Sequence, residues 1–130
     1  MNIGFDAKRI YDNTTGLGGY GRSLLHNLLR WFPQNNYQLF GHERYFRPSP
    51  FKYQNFVDKT FVSNHYLSDL WRSSDISADI ANSGVEIFHG LSNELPFSMP
   101  ANVKSIVTIH DIIFHKFTDY FPLLDRKIYQ

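Results

Sequence analysis

The fold turns on the first thirty residues, "MNIGFDAKRIYDNTTGLGGYGRSLLHNLLR" (1–30). Ile3 and Phe5 alternate with Gly4 and Asp6, which predicts a short strand from Asn2 to Ala7. A polar loop, "KRIYDNTTGLGG", follows. From Tyr20 to Phe32 the apolar residues Tyr20, Leu24, Leu25, Leu28, Leu29 and Phe32 fall on one face of a helix, and Pro33 ends it. Gly16, Gly18 and Gly21 stand between the two elements at G-x-G-x-x-G spacing. Three readings fit them. A dinucleotide turn would place its first glycine directly after the strand, whereas Gly16 comes nine residues beyond Ala7. The glycines could simply let a loop enter a helix. They could also expose N–H groups at the positive end of a helix, where an anion such as phosphate is held.

Outward from this segment the strand–helix alternation continues. "NYQLFG" predicts a second strand, "DKTFVS" a third, "VEIFHG" a fourth and "KSIVTIH" a fifth. The β-branched "IVTI" shows no alternation, as in a strand covered on both faces. Residues 66–82 follow a polar helical pattern that Gly84 closes, and "DYFPLLDRKIYQ" opens a further helix. "LSNELPFSMPANV" reads as a loop. The alternation predicts an α/β fold with a parallel, doubly wound, Rossmann-like sheet of about five strands. Ligands of such sheets sit beyond the carboxyl ends of the strands, where Asp6, His89, His110 and Asp111 fall.

Composition narrows the function. The chain has 130 residues, 42 % hydrophobic and 19 % charged, which suits one globular domain. A formal net charge of +1 recruits neither nucleic acid nor an acidic membrane by field alone. With no cysteine there is no disulfide framework and no thiolate metal site. The start has no long apolar stretch of the signal-peptide kind, and no run reaches the roughly eighteen apolar residues of a membrane span.

"GLGGYGRSLLHNLL", "EIFHG", "IVTIHDIIF" and "FPLLDRKIY" occur in that order along nearly the whole chain. Together they resemble the N-terminal half of retaining family 4 glycosyltransferases, two-domain enzymes of the GT-B type. The resemblance implies a transferase that moves a sugar from a nucleotide-diphosphate donor to a glycan or lipid-linked acceptor. It implies a nucleotide-sugar as donor substrate and no separate cofactor or metal. Gly18, Gly19 and Gly21 would face the donor diphosphate. His110 would approach the reaction centre, with Asp111 in the same cleft or bracing the loop. Residues 1–130 would form part of the N-terminal, acceptor-side domain, with the C-terminal donor-binding domain outside this chain. Polysaccharide biosynthesis in the cytoplasm, or at the inner face of the membrane, is the expected setting. The chain alone would be inactive and would self-associate through its uncovered sheet edge.

Each residue also has a plainer reading. His110 after a buried strand could be a hydrogen-bonded core residue, and His89 could serve only its own turn. Asp6 could accept N–H bonds from the glycine loop or stand solvated. Arg9 and Arg22 could meet phosphate or acceptor charge, or lie exposed. His110, Asp111 and His115 could suggest zinc, but no second ligand motif accompanies them. In "RYFRPSPFKYQNF", Arg44, Arg47 and Lys52 alternate with Tyr45, Phe46, Phe51, Tyr53 and Phe56. Such a loop could stack on sugars or anchor itself to the core. A binding module without turnover and a nucleotide-binding oxidoreductase are the alternatives to the transferase.

Overall fold

A computed structural model describes residues 1–41, 56–57 and 76–113. Five strands form one sheet: β1 (Asn2–Asp6), β2 (Asn36–Phe40), β3 (Phe56–Val57), β4 (Ile87–Gly90) and β5 (Lys104–Val107). Their spatial order is β3-β2-β1-β4-β5, and every neighbouring pair is parallel. The register sets Phe5 beside Leu39 on one flank and beside His89 on the other.

The alternation along β1 and β2 decides which side chain goes to which face. Phe5, Tyr37 and Leu39 pack with Ile10, Leu25 and Leu29, which come from α1 (Lys8–Asp12) and α2 (Gly16–Trp31). On the opposite face Phe40 and Phe88 pack with Ile76 and Ile80 of α3 (Ile76–Asn82). Gly4 lies between those two phenylalanines. A Cβ there would stand 2.8 Å from the Phe40 ring and 3.2 Å from that of Phe88, so glycine is what lets the rings meet edge to face at 5.6 Å. Tyr37 is buried with its hydroxyl satisfied at the carbonyls of Leu28 and Phe32, at 3.1 and 2.9 Å, which closes the last turn of α2.

The α/β class and the parallel sheet expected from the sequence are therefore present, and helices cover both faces of the central strands; β5, read from "IVTI" as covered on both faces, is instead an edge strand exposed along Lys104–Val107. Two local expectations change. The stretch after β1 is not a continuous loop: Lys8–Asp12 is the short helix α1, begun where the Lys8 N–H donates to Asp6 Oδ1 at 3.0 Å. Nor does the glycine helix start at Tyr20, for Gly16, Gly18 and Gly19 already belong to its first turns. The third strand is found at Phe56–Val57, just ahead of "DKTFVS". Residues 58–75, the loop expected at 44–55 and the helix expected from "DYFPLLDRKIYQ" lie outside the described residues. Among the described residues no helix is long and apolar enough to cross a membrane.

The strand order reverses beside β1. The chain leaves β1 through α1 and α2 on one face, whereas Leu95 and Met99 in the connection after β4 pack on the other. Where connections depart to opposite faces, the rule for parallel sheets places a ligand crevice at the carboxyl ends of the two strands, here β1 and β4.

Candidate functional site

The first wall of that crevice is the start of α2. Its nominal cap, Thr15, makes no capping bond. Asn13 caps the helix instead: its Oδ1 accepts from Thr15 N at 2.8 Å, Thr15 Oγ1 at 2.6 Å and Gly18 N at 3.2 Å. The Gly19 N–H is bonded to Thr15 O at 3.0 Å. Gly16 and Leu17 keep their N–H groups without a partner among the described residues. The N–H groups of Gly18 and Gly19, expected from the sequence to meet an anion, are thus taken by Asn13 and Thr15, and the amides without a described partner, Gly16 and Leu17, stand just before them in the same turn.

The glycines differ in why they are glycines. A Cβ on Gly18 would overlap the carbonyl oxygen of Asn13 and stand 2.8 Å from that of Arg9. On Gly21 it would press Ile10 and Leu91 at 3.1 and 3.3 Å. These two close the packing of α1 on α2 and of α2 on the end of β4. Gly19 is unlike them, since a Cβ there would meet no atom of the described residues within 4 Å. Arg22 serves the same junction. Its Nη1 donates to the carbonyls of Ile10 at 2.8 Å and Asn13 at 2.9 Å, tying down the α1–α2 turn. Arg9, half-buried on α1, contributes its carbonyl to the packing around Gly18.

Side chains form the second wall. His89, on β4, lays its ring against Phe5 at 5.7 Å and brings Nε2 to 2.8 Å from Thr108 Oγ1. Burial pushes the His89 pKa below its ordinary value of 6.5, because the imidazolium would lose solvation there. Thr108 Oγ1 also lies 3.1 Å from the Tyr20 hydroxyl, so a chain of three side chains links β4, the end of β5 and α2. Tyr20 further stands at 88° to the His110 ring, with centroids 5.1 Å apart. His110 Nε2 is 2.8 Å from the carbonyl oxygen of Leu91. A carbonyl only accepts, so Nε2 carries the proton. His110 Nδ1 has no partner among the described residues and, in the neutral ring, offers a lone pair.

Residues the sequence placed at the strand ends thus divide. His89, His110 and the start of α2 come together. Asp6 Oδ1 accepts the Lys8 N–H at the start of α1, and Asp111, exposed, accepts the Ile113 N–H at 3.2 Å. His115 lies outside the described residues, and among those described no three His, Cys, Asp or Glu side chains gather as a metal site. Thr108, Tyr20 and Asn13 were missed by sequence reasoning. Asn13 had a signal, since asparagine before "TTG" is a favoured helix cap. Tyr20 and Thr108 had none, being 88 residues apart.

No protein-family model, no curated protein and no solved structure matches this chain.

Proposed function

We propose that this chain is the Rossmann-like N-terminal half of a retaining GT-B glycosyltransferase of family 4, acting on a nucleotide-diphosphate sugar. One observation carries the reading: the early turns of α2, whose Gly16 and Leu17 amides have no partner among the described residues, meet the His110 ring through Tyr20, and His110 Nδ1 has no partner among the described residues either. Retaining transfer develops negative charge on a departing diphosphate and positive charge on the sugar. Preorganised amides at a helix start suit the first, and a fixed imidazole suits a group at the reacting sugar. The arrangement favours transferase over dinucleotide chemistry, because α1 stands where a dinucleotide turn would run from β1 into the glycines. Gly19 fits the same reading. Glycine inside a helix costs about 1 kcal/mol relative to alanine, and nothing within the described residues requires it there. Close approach by a ligand or by a second domain would require it.

The test is a titration of the 15N-labelled chain with nucleoside diphosphate sugars. Saturable shifts confined to Gly16, Leu17, Gly19 and His110 are expected. No such shift up to about 10 mM, a binding free energy weaker than about −3 kcal/mol, overturns the reading. In the two-domain enzyme that the reading requires, His110→Ala lowers kcat by about a hundredfold with donor KM little changed. An unchanged kcat removes His110 from the chemistry.

A further inference from the structure

Asn93 is the single described residue other than glycine with a positive φ, at 57°. Left-handed backbone is disfavoured for an ordinary residue, and less so for asparagine than for most. Where this chain needs only the backbone shape it uses glycine, as at Gly84 with φ 73° and open space around it. At position 93 it keeps a side chain, and that side chain is employed. Asn93 Oδ1 accepts the His110 N–H at 2.9 Å, while the Asn93 N–H donates to Thr108 O at 2.9 Å. The same loop supplies the Leu91 carbonyl that holds His110 Nε2. It can turn so tightly because residue 90 is glycine, where a Cβ would overlap the Glu94 carbonyl oxygen.

We propose that Asn93 is the positioning residue of His110. Beyond the end of β5 at Val107, segment 108–110 has lost its regular strand partner. The Thr108 N–H still reaches Gly90 O at 2.9 Å, and Asn93 then grips both Thr108 and His110. This double grip carries the hydrogen bonding past the end of β5 as far as His110. It sets the height of the imidazole above the sheet, its seat on Leu91 and its edge contact with Tyr20. The orientation of the ring, with Nε2 on the Leu91 carbonyl, is therefore held by Asn93. That the positioned ring serves sugar transfer rests on the transferase reading above; the grip itself does not.

Three variants separate backbone shape from side-chain oxygen. Asn93→Gly keeps the positive φ and loses the acceptor. Asn93→Asp keeps both, and Asn93→Ala loses both. In the 130-residue chain, amide exchange at His110 should accelerate at least about fivefold in Asn93→Gly, the equivalent of one ordinary hydrogen bond. Asn93→Asp should restore the wild-type rate. Thermal stability of Asn93→Gly should match wild type, while its His110 imidazole 15N spectrum, recorded at alkaline pH, should depart from the Nε2–H pattern. With a nucleoside diphosphate sugar present, Asn93→Gly should lose the shift at His110 and retain those at Gly16 and Leu17. Unchanged exchange and an unchanged imidazole spectrum in Asn93→Gly overturn the proposal, as does failure of Asn93→Asp to restore them. If no sugar nucleotide shifts the wild-type chain, the transferase reading fails and the exchange and imidazole spectra still decide Asn93.

Discussion

On the β1 side of the crevice the chain presents backbone: the first turn of α2, with Gly18 and Gly21 drawn against Asn13, Ile10 and Leu91. On the β4–β5 side it presents side chains, His89, Thr108 and His110, joined through hydrogen bonds to each other's neighbours. The first wall is made by omitting atoms and the second by connecting them. Walls of these kinds fail differently. A backbone wall breaks when any atom is added where two chain segments touch, because a backbone carbonyl cannot swing away. A side-chain wall loses one bond at a time and degrades gradually.

The sharpest way to break this contrast is a pair of glycine substitutions in one turn. Gly18→Ala forces a methyl onto the Asn13 and Arg9 carbonyls and should cost about 3 kcal/mol, at the upper end of overpacking. Gly19→Ala enters open space and should stabilise by about 0.5–1 kcal/mol through helix propensity. Urea unfolding of the two variants checks both signs. Equal effects would mean that the first turn of α2 yields as a whole and that the wall is no tighter at Gly18 than at Gly19.

A smaller effect is expected on the other wall. Thr108→Val keeps the shape of the side chain and removes the hydroxyl shared by His89 and Tyr20, at a cost of about 1 kcal/mol. His89 adds a pH dependence. Its folded pKa lies below 6.5, so the unfolded chain binds the extra proton first as pH falls. Its contribution is therefore complete above about pH 6.5 and is lost as pH drops through the lowered folded value. His89→Gln should flatten that part of the stability curve, measured by thermal unfolding from pH 8 down to about pH 5. An unaltered curve would assign the acid sensitivity to other groups. Tyr20→Phe should have the least effect, about 0.5 kcal/mol or less, because its hydroxyl is exposed and water replaces the bond. It keeps the ring on His110. A larger loss would mean that the three-residue chain acts as a unit rather than bond by bond.

The two walls were also unequally legible. "NIGFD" and "NYQLF" gave β1 and β2 nearly to the residue, because alternation along a strand is written in adjacent positions. The apolar face of α2 was equally plain from Leu25 and Leu29, both buried. The motif "GLGG" announced a special turn but not its purpose. Whether a glycine faces a ligand or a neighbouring carbonyl depends on what stands beside it, and for Gly18 that is Asn13 and Arg9 of the preceding segment. The helical nature of Lys8–Asp12 was hidden, since five residues carry too little periodicity and the turn begins at the Lys8 N–H bond to Asp6 Oδ1.

The sequence by itself determined the alternation of strands and helices, the parallel class of the sheet and the presence of His89 and His110 near strand ends. Those features follow from local spacing, and local spacing is all that a chain shows before it folds. Only the tertiary structure decided which polar groups remain available. Gly18 N–H is taken by Asn13, Arg22 by Ile10 and Asn13, His89 by Thr108, and His110 is held by Leu91 and Asn93. The bonds of His89 and His110 join residues 17 to 19 apart, brought together by the parallel pairing of β4 with β5. That of Tyr20 spans 88 residues. A hydrogen bond needs atoms within about 3 Å, and a linear pattern carries no distance between segments until the sheet has set their order.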